Sequence, residues 1–312
     1  MMESMESLAL TLSAAVNAGT ILALAALGLL ISERSGVVNL GAEGLMLIGA
    51  LAGYATAVQG SGHGLVLAFA AAAGVAALAA AAFGVLVIWL GTNQYATGLA
   101  LSLFGSGFTA FAGAGYTDRQ LPPLAEPGLP HLQAIPFFGT ACFRYHPVVY
   151  LTMALGAGLV WFLFRSRAGL VLRAVGESPE SAHALGHPVR LVRLGAVVFG
   201  GALCGLAGAY VSLVYAHLWV EGLIAGKGWI ALALTTFATW RPARVLLGAY
   251  LFGGVTMLQF QLQGRGVQVE SHLLGMLPYL ATVLVLVVIS RNRAWIRVNM
   301  PASLGKPFHP TQ

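Results

Sequence analysis

Residues 64–90 read GLVLAFAAAAGVAALAAAAFGVLVIWL, a run from Gly64 to Leu90 without one charge. A hydrocarbon core about 30 Å thick takes about 20 consecutive apolar residues to cross as a helix, and this run exceeds that. Comparable apolar runs lie near 8–31, 36–58, 95–114, 147–164, 194–216, 223–240, 243–261 and 272–290. The fold this predicts is all-α, a polytopic transmembrane helical bundle of about 8 to 10 segments, some of them half-helices. Residues 1–312 then form a single membrane domain with no sizeable soluble part.

Composition agrees. Hydrophobic residues make up 58% and charged residues only 8% of the chain, against about a quarter charged in soluble domains. Lipid gives helices no hydrophobic reason to associate, so the 40 glycines fit helices that pack by close backbone approach. The opening MMESMES carries Glu3 and Glu6 and no base, unlike a cleaved leader, so the first helix is read as retained. Cys142 falls in a loop and Cys204 in an apolar helix, which suits neither a disulfide nor a metal pair.

The net charge of +6 is read against the membrane rather than as a nucleic-acid signal. The loop at 165–193 holds Arg165, Arg167, Arg173, Arg190 and Arg193, and the tail holds Arg291, Arg293, Arg297 and Lys306. Placing both in the cytoplasm puts Arg34, Arg241 and Arg244 there too, leaving Arg119, Arg144, Lys227 and Arg265 outside. This arrangement predicts an external amino terminus and a cytoplasmic carboxyl terminus. The external loop 115–146 is proline-rich and long enough to receive a docking protein. A faint echo between Gly49–Ala55 (GALAGYA) and Gly201–Val211 (GALCGLAGAYV) fits either an inverted repeat or chance similarity of small-residue helices.

Polar residues inside apolar runs are the candidate functional groups, because lipid does not tolerate them. Asn39 and Glu43 are four apart and are expected on one helical face, lining a solute path or acting as a structural clamp. Asn93, Gln94 and Tyr95 follow Gly91 at the start of another segment, where they either meet a neutral solute or cap the helix. Gly226-Lys227-Gly228-Trp229 suggests a phosphate loop, but GxxxxGK[ST] is absent here and elsewhere, so this chain is not expected to hydrolyse nucleotide. Lys227 is instead a candidate for the mouth of the path near the external face, or a snorkelling surface lysine, and Trp229 is a further candidate for the substrate path. His183 and His187 have metal-like spacing, but Gly186 and Pro188 break the helix between them and no third ligand is apparent, so no metal is expected.

Within RAVGESPESAHALGHPVR (173–190), Ser178 is an N-cap, Pro179 takes the first helical position, Glu180 follows in the first turn and Gly186 ends the helix. Such a helix of about seven residues is marginal alone, so a partner protein is expected to complete its burial.

These residues resemble the permease subunits of binding-protein-dependent ABC importers, in the bacterial family serving branched-chain amino acids, simple sugars and nucleosides. Arg173-Ala174-Val175-Gly176 and Pro179-Glu180-Ser181-Ala182 with Gly186 are similar to that family's coupling loop. Glu33 to Gly44, Gly91-Thr92-Asn93-Gln94 and Gly226 to Ala233 are closest to its nucleoside-type branch, and the resemblance runs over about residues 10–290. It implies that Arg173, Gly176, Glu177, Ser178, Pro179, Glu180, Ser181, Ala182 and Gly186 engage a separate ATPase, which uses ATP and magnesium; this chain needs no cofactor. It also implies a second, non-identical permease, an external solute-binding protein and a multi-pass place in the bacterial inner membrane. The expected cargo is a nucleoside or nucleobase compound, for which Tyr95, Phe104, Phe108 and Tyr116 could supply stacking. Simple sugars or branched-chain amino acids are the alternatives. An ion-coupled secondary transporter is the rival mechanism, with Glu43 its strong titratable candidate.

Overall fold

The computed structural model describes residues 2–60, 64–122, 143–264 and 299–309, with Gly139, Ala141 and scattered positions between 273 and 287. Most of the expected segment 272–290, most of the loop 115–146, Cys142 and the tail arginines 291, 293 and 297 lie outside the described residues.

The described chain is a polytopic helical bundle. Its helices are α1 (Met2–Arg34), α2 (Ala42–Gln59), α3 (Gly64–Ile88), α4 (Gln94–Gly113), α5 (Pro147–Arg165), α6 (Arg167–Glu177), α7 (Pro179–Ala184), α8 (Val189–Tyr210), α9 (Lys227–Phe237) and α10 (Pro242–Gly264). Six described helical stretches, from α1, α3, α4, α5, α8 and α10, are long and apolar enough to cross a membrane. The two other expected segments within reach differ from full crossings. The run at 36–58 becomes helical only at Ala42, and that at 223–240 yields the eleven-residue α9.

Small residues hold the bundle together. Ala68, Ala72, Ala76 and Ala80 recur every fourth position on α3, forming its buried stripe. Gly201 and Gly205 of α8 lie on that stripe so closely that an added Cβ at Gly205 would meet the Ala72 carbonyl oxygen at 2.4 Å. Gly28 of α1 meets Gly200, and Gly253 of α10 meets Ala15 and Gly19 in the same manner. The outer faces carry Val66, Leu67, Leu78, Leu103 and Phe111, which are exposed as lipid-facing or partner-facing side chains would be. The two echoing stretches pack on each other, with Gly49 against Gly205 and Gly53 against Ala209. Their similarity therefore has an immediate packing use.

Two interruptions position the site. After α1, residues 35–41 run without helix to α2, and Gly44 then packs on Gly105, near the middle of α4. After α8 and a π turn at Val211–Tyr215, residues 216–226 turn back and α9 starts at Lys227. Arg34, Arg173, Arg193 and Arg241 gather at one end of the bundle. Arg119 lies at the other end, where Leu121 N–H donates to the His217 carbonyl oxygen and Gln120 bridges to Leu218.

Candidate functional site

The two interruptions bring two helix N-termini together. Glu43, in the first turn of α2, accepts from Gly226 N–H through Oε1 and from Gly228 N–H through Oε2, both at 2.7 Å. Unsatisfied N–H groups and aligned peptide dipoles make a helix N-terminus electropositive, so the Glu43 carboxylate, carried by the first turn of α2, caps the start of α9. Gly226 has φ 81° and Gly228 lies so close that a Cβ would sit 2.6 Å from Glu43 Cα. These positions need glycine.

Lys227 and Trp229 flank the same junction. The Lys227 ammonium donates to the Ile224 carbonyl oxygen at 3.0 Å, and Trp229 is exposed. The expected helical face shared by Asn39 and Glu43 is not present. Asn39 precedes α2, where its Oδ1 accepts from Gly41 N–H at 2.8 Å, because the chain does not become helical until Ala42. Lys227 is half-buried between exposed Ala225 and Trp229. It starts α9 beside Glu43, whose neighbour Gly44 lies midway along α4.

Asn93, Gln94 and Tyr95 stand apart from this junction. Asn93 Oδ1 accepts from Tyr95 N–H and Ala96 N–H, capping α4. Gln94, buried, accepts through Oε1 from Val38 N–H at 2.8 Å and so ties α4 to the interruption after α1. Tyr95 is half exposed and its hydroxyl faces Gly305 of the tail. The structure therefore groups Glu43, Lys227 and Trp229, and places the α4 cluster nearer the arginine-rich end, with Phe104 stacked on Phe108.

A second carboxylate holds the other end of α9. Glu33 is buried and its Oε2 accepts from Thr235 Oγ1 at 2.9 Å and from Trp240 Nε1 at 2.5 Å. Arg34 Nε donates to the Trp240 carbonyl oxygen at 3.0 Å. Thr239 and Trp240 both have left-handed backbones, φ 49° and 53°, a conformation that costs non-glycine residues and persists only where surroundings enforce it. Sequence reading missed this site. Its signal was a Glu-Arg pair ending an apolar helix, with no local clue to a partner 207 residues away.

At the arginine-rich end, α6 adds an eleven-residue amphipathic helix where sequence reading expected only loop. Ser178 caps α7 as expected, its Oγ accepting from Ser181 N–H at 3.3 Å, with Pro179 in the first turn. Gly186 ends the turn with φ 83°. Pro179 and Ala182 face inward, whereas Glu180, Ser181, His183 and Leu185 are exposed. Gly176, at the end of α6, lies against the Arg34 carbonyl oxygen, where a Cβ would be 2.0 Å away. Arg173 lies over the Phe164 ring at 5.3 Å, and Glu177 Oε2 accepts from Ala302 N–H at 3.4 Å.

The pattern of a family described as branched-chain amino acid transport system / permease component matches residues 11–289. The chain is 41% identical to a putative glucose ABC transporter permease of Haloferax volcanii, covering 96% of this chain and 97% of that one. It is 33% identical to a guanosine ABC transporter permease of Bacillus subtilis, covering 92% of each. A nucleoside ABC transporter permease of Lactococcus lactis is 32% identical over 83% of this chain and 86% of its own. No solved structure is a significant match.

Proposed function

Since the chain belongs to the branched-chain amino acid transport system / permease component family and is a multi-pass ABC transporter permease, we propose that it forms the solute path of an ATP-driven importer of nucleosides or related nucleobase compounds. Two relatives named for guanosine and nucleoside transport support this cargo. The observation that carries the site reading is the Glu43 junction. Facing half-helix N-termini in transporters receive anionic groups of solutes, but here both Glu43 oxygens already occupy that place. The junction accordingly suits a neutral solute, and a zwitterionic amino acid would meet a carboxylate where its own should bind. Glucose is the second reading, favoured by the putative glucose permease at 41% identity.

The remaining assignments follow the same premise. The arginine-rich end faces the cytoplasm, as the positive-inside rule requires, and the amino terminus lies outside. There α7 docks on a separate ATPase through Glu180, Ser181 and Leu185, the exposed face of a helix too short to stand alone. The ATPase binds ATP and magnesium, while this permease performs no hydrolysis. A second, non-identical permease completes the path, and an external solute-binding protein delivers the cargo.

Calorimetry of that binding protein with guanosine, glucose and leucine tests the cargo. Tight guanosine binding supports the first reading and tight glucose binding the second. Leucine binding without either would overturn both.

A further inference from the structure

Residues 299–309 of the tail return to the arginine-rich end and touch three parts of the chain at once. Toward α7, Phe308 is buried with Val175, Ala182 and Val189, and its ring meets the His183 ring edge-on at 5.6 Å between centroids. Toward α6, Ser303 N–H and Oγ both donate to the Gly176 carbonyl oxygen, at 3.0 and 2.7 Å. Toward the interruption after α1, Gly305 N–H donates to the Gly36 carbonyl oxygen at 3.1 Å, and Arg34 Nη1 donates to that of Asn299 at 3.0 Å.

Arg193 of α8 binds the same parts together. It is 2% exposed. Its Nε donates to the Ser35 carbonyl oxygen at 3.1 Å, Nη2 to Ser303 Oγ at 3.0 Å and Nη1 to the Lys306 carbonyl oxygen at 3.2 Å. A buried guanidinium is costly unless its donors are satisfied, so these three bonds resist separation of the tail from the interruption.

From there the contacts continue to the solute-path candidates. Glu33 and Arg34 grip Trp240 at one end of α9, and Glu43, beyond the same interruption, grips its other end. The α7 helix, by contrast, has only six residues, and Phe308 supplies part of its apolar underside. Interior side chains are close-packed, so a shift of α7 is passed to what it touches.

We infer that residues 299–309 are a coupling strap, which carries movement of α7 through Ser303, Gly305 and Arg193 into the α1–α2 interruption and so to α9. This rests on the reading of α7 as the ATPase-docking helix. Phe308, Ser303 and Arg193 are then positioning residues, acting on the path without touching solute.

The test uses the complete transporter in proteoliposomes with its binding protein, following ATP hydrolysis and uptake of guanosine or glucose, whichever the unmodified complex takes up. Phe308→Ala should leave the ATPase co-purifying and hydrolysis within about twofold, while uptake per ATP falls about tenfold, as losing one buried aromatic contact allows. Phe308→Leu should restore most of it. Unchanged uptake per ATP, or hydrolysis and uptake falling in proportion, would overturn the strap. Replacing Pro179–Ala182 with Gly/Ser residues separates the two ideas. If the ATPase still binds that variant, the docking reading fails; if it is lost there while Phe308→Ala stays fully coupled, the strap alone fails.

Discussion

Both ends of α9 are held by a glutamate from the α1–α2 region, yet the two grips are built differently. Glu43 spends each oxygen on a separate backbone N–H, Gly226 through Oε1 and Gly228 through Oε2. Among the described residues, Glu33 uses Oε2, shared between the side chains of Thr235 and Trp240. A backbone grip at a helix N-terminus fixes where the helix begins, and no rotamer change on α9 can release it. A side-chain grip can let go when Trp240 or Thr235 turns. The first therefore behaves as a hinge pin and the second as a latch, the latch sitting beside the tail and the arginine-rich loop.

The contrast can be broken most severely at Gly228. An alanine there would place its Cβ 2.6 Å from Glu43 N and Cα, both backbone atoms that cannot swing aside. Gly228→Ala should abolish uptake in proteoliposomes while the protein still inserts and purifies; retained uptake would show that the junction opens freely.

The next largest effect distinguishes the two grips. Glu43→Gln must turn an amide NH2 toward one backbone N–H, leaving a donor unpaired at a cost of about 1–3 kcal/mol. Uptake should fall about tenfold or more, since 1.4 kcal/mol is tenfold in an equilibrium. Glu33→Gln can present its one amide oxygen to both Thr235 and Trp240, so uptake should stay within about threefold. Equal losses in the two variants would remove the distinction between pin and latch.

The smallest effect concerns a residue outside both grips. Asn93 caps α4, so Asn93→Ala should cost about 1 kcal/mol of thermal stability, and Asn93→Ser should recover it because serine caps nearly as well. Uptake KM should not move in either. A KM raised in both variants would make Asn93 a solute ligand rather than a cap.

Local chemistry was legible in the sequence. Ser178, Pro179 and Gly186 announced α7 because capping depends on residues within one turn of each other. The apolar runs announced the crossing helices for the same reason, as hydrophobicity sums along a continuous stretch. The α6 helix was missed because eleven residues with two arginines read as loop until Phe162, Leu163 and Arg34 are known to lie against its glycines. Asn39 was misplaced because four-residue spacing implies a shared face only where the backbone is already helical, and here helix starts at Ala42.

The sequence by itself determined that this chain lives in a membrane, that it holds several stretches long and apolar enough to cross one, that it lacks the common nucleotide-binding loop, and where its short capped helix stands. Only the tertiary structure decided that Glu43 caps the start of α9, that Glu33 reaches Trp240, and that Phe308 lies beneath α7. The reason is separation along the chain. Those pairs lie more than a hundred residues apart, and in a bundle packed through glycine and alanine, many registers satisfy composition equally well. Which polar group meets which is settled only when helices close to backbone contact and each buried donor must find an acceptor.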